Sequence, residues 1–267
     1  MSTVRSSDGT QIGYDRSGTG PPLILVGGAL QYRAIDESTT ELIEQLAPAF
    51  AVFHYDRRGR GESGDRAPYS VAREVEDLDA LIDTAGGSAF VFGMSSGGAL
   101  TLEAAASGLA ITKLALYEPP FAVDENSFKA PDDFLDQLRS LNAAGRPGDA
   151  LEYFLDTGLG MPGEMVAEMR AAPVWRGFEA VAHTLVYDTM LMEGQDTLLA
   201  ERAPTVTAPV LLVDGGASPS WAAAAVDALA AILPHSERRT LPGQTHDVAA
   251  AALAPALEEF FGARVRV

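Results

Sequence analysis

The sequence predicts an α/β protein with a mostly parallel central sheet, flanking helices and one long helical insertion. Three observations carry that prediction. Short apolar runs such as Pro22-Leu23-Ile24-Leu25-Val26 and Pro209-Val210-Leu211-Leu212-Val213 lack polar alternation, which suits strands buried on both faces of a parallel sheet. Segments with apolar residues at helical spacing separate these runs, the signature of strand–helix–strand units. Between residues 121 and 203 the alternation stops, and the pattern is helical, broken by Gly and Pro.

In chain order, residues 2–6 and 11–16 flank Asp8-Gly9, a hairpin signal that gives the sheet an antiparallel start. The run 22–26 is a buried strand ending in Gly27-Gly28-Ala29-Leu30. A helix over 35–46 and a second buried strand, Ala51-Val52-Phe53-His54-Tyr55, lead into Asp56-Arg57-Arg58-Gly59-Arg60-Gly61-Glu62-Ser63. The helix over 71–84 carries Val75, Leu78, Leu81 and Ile82 at helical spacing, and Gly86-Gly87 stops it. Phe90-Val91-Phe92 is a strand, 96–106 a helix, and 113–117 a strand ended by Glu118-Pro119-Pro120. After the insertion come the strand 209–213, a helix over 221–233, a strand over 237–241 and a last helix to about Phe261. The domain reading is a core of residues 1–120 and 204–267 with an inserted helical lid at 121–203.

Composition narrows the function classes. Of 267 residues, 47% are apolar, enough for one sizeable core plus an insertion. Nineteen basic against 37 acidic residues give a net charge of −18, which argues against nucleic acid or an anionic membrane as partner. Cysteine is absent from the sequence, excluding disulfides, thiolate metal sites and a cysteine nucleophile. With no apolar leader segment and no run of membrane-spanning length, a soluble, cytoplasmic protein is expected.

Gly93-Met94-Ser95-Ser96-Gly97 fits G-x-S-x-G, the nucleophile elbow, in which a serine sits on a strained strand-to-helix turn. Glycines two before and two after the serine let strand and helix approach with no Cβ between them. The strand before it and the helix after it supply the required context. Ser96 is the competing nucleophile, but its register puts Met94 at the crowded upstream position, so Ser95 is preferred.

The order of these signals resembles the α/β-hydrolase superfamily, in its lidded group of small bacterial serine hydrolases, over essentially the whole chain. Gly27-Gly28-Ala29 occupies the place of that family's oxyanion loop, and residues 56–63 look like its D-x-R-G-x-G-x-S turn. Ser95 matches the elbow, and His246 in Gly243-Gln244-Thr245-His246-Asp247 matches the histidine after the last strand. The resemblance implies that the Ala29 and Ser96 amides form the oxyanion hole. Of the four histidines, His54 lies in a buried strand, His183 in the insertion and His235 in a polar turn. Only His246 falls on a loop at the strand carboxyl ends, where ligands bind in open α/β sheets.

Two departures from the family pattern stand out. Gly27 replaces the usual histidine before the oxyanion-loop glycine. The acid of the catalytic triad commonly follows the strand at 209–213 in a G-x-x-D turn, but here the turn reads Gly215-Gly216-Ala217-Ser218. Glu118 is assigned instead, since it sits just past a neighbouring parallel strand, on the same rim, and some superfamily members carry their acid there. Asp214 is the runner-up, and Asp247, adjoining the histidine, is read as facing away.

The insertion holds five of the seven methionines, with Met161, Met165 and Met169 at helical spacing, and bulky residues including Phe121, Phe128, Phe134, Trp175 and Phe178. Most of these suit its own packing core, and the methionines also suit a pliable pocket for apolar groups. Met94, His183 and Tyr187 are the candidate substrate contacts, with Asp188 a further polar one. The expected function is a cofactor-independent esterase-like hydrolase, with no metal, acting on a small or medium apolar ester, lactone or related acyl substrate. The alternative is a non-hydrolytic ligand-binding or pathway protein that keeps the fold with a modified site.

Overall fold

Asp8-Gly9 turns the chain between β1 (Ser2–Arg5) and β2 (Gln11–Ser17): the Asp8 carboxylate accepts from the Thr10 amide at 2.8 Å, and Gly9 takes φ +89°. The two strands pair antiparallel with Val4 opposite Ile12. This computed structural model describes residues 2–124, 127 and 129–262; Phe128 lies outside them.

The apolar runs form β3 (Pro22–Val26), β4 (Ala51–Tyr55), β5 (Ala89–Met94), β6 (Ile111–Tyr117) and β7 (Val210–Gly215), followed by β8 (Ser236–Leu241). Among the described residues they make one eight-stranded sheet in the order β1-β2-β4-β3-β5-β6-β7-β8. All pairings from β4 to β8 are parallel, and those of β2 with β1 and β4 are antiparallel. Strand order reverses at β3, whose next strand β4 lies on one side and β5 on the other. A crevice opens at such a switch point beyond the strand carboxyl ends.

Side chains on a strand alternate between faces, and each interior strand is apolar on both, so the sheet needs two covering layers. Ile24, Val26, Phe53, Val91, Leu114, Leu116 and Leu212 face one core. It is closed by α2 (Val71–Ala85), α3 (Ser96–Ala106) and a helix at Ser220–Ile232. Leu23, Leu25, Val52, Phe92, Ala115, Leu211 and Val213 face the other, closed by α1 (Glu37–Leu46) and the helix Ala250–Phe261. The helix expected over 35–46 starts at Glu37, because the Asp36 side chain accepts from the Thr39 amide and caps it there. Gly86, at φ +116°, ends α2 in a left-handed cap.

The insertion joins β6 to β7. It contains α4 (Phe134–Ala143), α5 (Pro147–Tyr153), α6 (Gly163–Ala171), α7 (Trp175–Val181), α8 (Leu185–Glu193) and a one-turn α9 (Gln195–Thr197), linked by short π- and 3-10-helical turns. The two closing helices of the core are therefore α10 (Ser220–Ile232) and α11 (Ala250–Phe261). The insertion has its own apolar core of Phe134, Leu138, Leu151, Trp175 and Leu185, which also takes in Leu30 from the loop after β3. Leu30 has φ +64°, a strained conformation for a branched side chain.

Candidate active site

Ser95 stands between the last residue of β5 and the first of α3 with φ +54° and ψ −126°, outside the ordinary regions for a side-chain-bearing residue. Such a conformation costs about 1–3 kcal/mol and persists only where its surroundings dictate it. Its amide donates to the Tyr117 carbonyl at 2.9 Å, and its carbonyl accepts the Gly98 amide at 2.8 Å. A Cβ on Gly93 would lie 2.5 Å from the Gly97 carbonyl oxygen, and one on Gly97 would run into the Val26 and Gly27 carbonyls. Strand, helix and the loop after β3 thus meet at backbone contact, and only glycine fits between them.

That close packing brings the Gly27-Gly28-Ala29 loop against the serine. A Cβ built on Gly28 would lie 3.0 Å from Ser95 Cβ. The Gly28 amide donates to Gln31 Oε1 at 2.5 Å, and Gln31 Nε2 lies 3.8 Å from Met94 Sδ. Ala29 and Met94 are half-buried. As the first residue of α3, Ser96 has an amide with no carbonyl a turn earlier to receive it, and the helix dipole adds positive potential there.

Glu118 follows β6 directly, with φ +44°, and its side chain is fully buried. Its Oε2 is 2.7 Å from His246 Nδ1. Its Oε1 accepts the Gly215 amide at 2.7 Å and the Ser218 hydroxyl at 2.5 Å. Burial acts to raise the pKa of this carboxyl, but the bonds from His246, Ser218 and Gly215 outweigh it and hold it below the usual glutamate value. An ionised carboxylate only accepts hydrogen bonds, so Nδ1 carries a proton and Nε2 of a neutral ring keeps its lone pair.

The histidine loop is tied to the same strands. The Tyr117 hydroxyl donates to the Thr245 carbonyl at 2.5 Å, and the Ala217 amide to the Gln244 carbonyl at 2.8 Å. Trp221 meets the His246 ring at an angle of 61°, centroids 5.6 Å apart. Among the described residues, the Ser95 hydroxyl forms no hydrogen bond with His246. Asp214 is buried, but its carboxylate is engaged by Thr240 Oγ1 at 2.8 Å and Arg238 Nη2 at 3.4 Å, along the β7–β8 pairing.

The insertion's polar candidates have protein partners. Tyr187 donates to Asp65 Oδ2 at 2.7 Å and stacks on Tyr69 at 3.9 Å, and His183 Nε2 lies 3.6 Å from the same Asp65 oxygen. Asp188, read from sequence as a pocket contact, is instead buried between Arg57 and Arg60. Sequence reasoning missed Ser218 as a partner of Glu118, Gln31 against the Gly27-Gly28-Ala29 loop and Trp221 beside His246. The two arginines were visible within the residue 56–63 motif, but nothing local disclosed their partner.

Such a fold, with a strained serine at the topological switch point and a histidine–carboxylate pair on the same rim, defines an α/β hydrolase. Residues 23–258 match the alpha/beta hydrolase family, and the chain belongs to it. The crystal structure of an alpha/beta hydrolase from Sphaerobacter thermophilus is similar at 54% identity and TM-score 0.91, over 97% of this chain and all (100%) of that one. A hydrolase from Pseudomonas aeruginosa shares the fold at 24% identity and TM-score 0.72, over 98% of each chain. A thermophilic esterase from Thermogutta terrifontis shares it at 19% identity and TM-score 0.73, over 98% of this chain and 97% of that one. No curated protein matches the sequence significantly. Family membership and the 54% identical hydrolase support a hydrolase. Among the described residues, no helix is long and apolar enough to cross a membrane.

Proposed function

We propose that the protein is a cofactor-independent serine hydrolase of a small or medium apolar carboxylic ester, lactone or related acyl compound. The observation that carries this reading is the buried Glu118 carboxylate 2.7 Å from His246 Nδ1, on the rim that also bears the strained Ser95. Ser95 Oγ attacks the acyl carbon, and its proton passes to His246 Nε2. The Glu118 carboxylate holds the ring in that tautomer and stabilises the imidazolium. Ala29 and Ser96 amides receive the oxyanion, His246 returns the proton to the leaving oxygen, and water repeats the sequence to release the acid. Catalytic hydrogen bonds are often long in unliganded sites and shorten once substrate is seated, which applies to Ser95 and His246. The helical insertion at 121–203 acts as the lid, with Met94 a contact to the acyl group.

The alternative, a fold kept for ligand binding alone, draws on the serine at position 218 and on Gly27 in place of the family's histidine. Since Ser218 donates to Glu118, its presence now favours an operating acid. A fluorophosphonate probe separates the two readings. Labelling of the native protein that disappears in Ser95→Ala is expected, whereas no labelling, or equal labelling of the variant, rejects the serine hydrolase. Turnover screened over esters, lactones and thioesters then defines the acyl class.

A further inference from the structure

Arg57 and Arg60 lie in the turn after β4, are almost wholly buried, and share one carboxylate from the insertion. Asp188 of α8, 3% exposed, bonds Arg57 Nη1 through Oδ1 at 2.8 Å and Arg60 Nη2 through Oδ2 at 2.7 Å. Each arginine also reaches the loop against Ser95. Arg60 Nη1 donates to the Gly28 carbonyl at 2.5 Å and the Gln31 carbonyl at 3.4 Å, and Arg57 Nη1 to the Gly27 carbonyl at 3.4 Å. Asp188 Oδ1 further accepts the hydroxyl of Ser96, the residue after the elbow serine, at 2.8 Å. Arg57 spends its Nε and Nη2 on Glu74, at 2.7 and 2.8 Å, and Arg60 its Nε on Thr184 at 3.1 Å.

Two guanidinium groups therefore face two carboxylates, Asp188 and Glu74, and the buried cluster is formally neutral. Burial acts to raise the Asp188 pKa, but Arg60 and Arg57 outweigh it, so it is held below the usual aspartate value and remains ionised. Replacing a buried ion pair by apolar residues is often neutral or stabilising, so stability alone is a weak account of this cluster. Its geometry supplies another. The cluster touches both segments that carry the oxyanion donors, and Leu30, next to Ala29, is held separately in the insertion's apolar core.

We propose that Asp188 is a positioning residue for the oxyanion hole, setting the Ala29 and Ser96 amides through Arg57, Arg60 and the Ser96 hydroxyl. This rests on the serine-hydrolase reading above. The insertion is then a fixed wall of the catalytic site where α8 meets it. Donors displaced by a fraction of an ångström stabilise the transition state less while leaving ground-state binding nearly unchanged.

Asp188→Asn tests the idea by removing the charge while keeping the shape. Arg60→Lys keeps the charge opposite Asp188 but loses the fork that spans Asp188, Thr184 and the Gly28 carbonyl. In each, kcat is expected to fall about 10- to 100-fold with KM within about twofold. Affinity for a boronic acid analogue of the tetrahedral intermediate should fall by the same factor as kcat. The control is Arg202→Met, which cuts the insertion's ties to Glu103 and Ser107 on the far end of α3. It should lower the melting temperature without moving kcat. If Asp188→Asn does not fold, Arg60→Lys decides alone. Wild-type kcat in a folded variant, or a loss confined to KM with analogue affinity unchanged, overturns the proposal. A native protein that the fluorophosphonate probe does not label overturns the serine-hydrolase reading and this inference with it. A native protein that labels and turns over, alongside variants that do so equally, overturns this inference alone.

Discussion

The hydroxyl of Ser218 donates to Oε1 of Glu118 at 2.5 Å, across a separation of 100 residues. Ser218 stands where the family pattern places its acid, and its neighbour Gly215 supplies the second bond to the same oxygen. With Oε1 saturated, Oε2 alone faces His246. The turn after β7 thus keeps a place in the site, as support for a carboxylate that comes from β6.

Removing that support in Ser218→Ala is expected to lower kcat about 10- to 100-fold, since a hydrogen bond to a charged group contributes about 1.5–3 kcal/mol and every 1.4 kcal/mol is a factor of ten. KM should stay near its native value. Steady-state kinetics check it. Native kcat in the variant would show that the backbone amide of Gly215 holds the carboxylate unaided.

Glu118→Gln leaves a side chain of the same shape with no charge for the imidazolium, and turnover should fall roughly 10²–10⁴-fold. Asp214→Asn should have a much smaller effect, because Thr240 and Arg238 already hold that carboxylate along the sheet edge. Both variants should fold, with Asp214→Asn melting close to the native protein and Glu118→Gln lower at neutral pH, because the contribution of the ionised carboxylate is lost. The reverse ranking of the two would transfer the role to Asp214.

Stability against pH follows from the same carboxyl. Its pKa is lower folded than unfolded, so its contribution is fully present above the unfolded value of about 4.3 and is lost as pH falls through the folded value. Asp188, also depressed, contributes in the same direction. Urea midpoints measured from about pH 6 to pH 3 should decline for the native protein and decline less steeply for Glu118→Gln. Parallel curves would mean that folding leaves the Glu118 pKa unchanged, so that the bonds from His246, Ser218 and Gly215 do not favour its ionised form.

Gly97→Ala sets a methyl group against the Val26 and Gly27 carbonyls. Overpacking of this kind costs about 1–3 kcal/mol or more, a loss of roughly 3–10 °C in melting temperature for a domain of this size. Turnover should fall as well, since relief of the clash moves the loop bearing Ala29. A variant that melts and reacts like the native protein would show that β3 and α3 have room to separate.

Much of the architecture is legible in the sequence because its determinants are local. The uninterrupted apolar run at 22–26 signals a strand covered on both faces, and it packs Leu23 and Leu25 into one core and Ile24 and Val26 into the other. Glycines at 93 and 97 announce a turn too tight for a side chain, and the backbone contacts there supply the cause. The helix expected from about residue 35 begins at Glu37, where the Asp36 side chain caps the Thr39 amide, a detail that only the folded turn supplies.

Sequence alone determined the succession of strands and helices, the elbow serine, and the presence of Glu118 and His246 past strand ends of one rim. Periodicity, glycine spacing and strand termini all act within a few residues of themselves. Partnerships across the chain were settled only by folding: Ser218 with Glu118, and Asp188 with Arg57 and Arg60 at separations of 131 and 128 residues. An aspartate on a helix reads alike in sequence whether it faces water or two guanidinium groups. Its role depends on which distant backbone the packed layers bring beside it, and on the loss of water that makes the pairing obligatory.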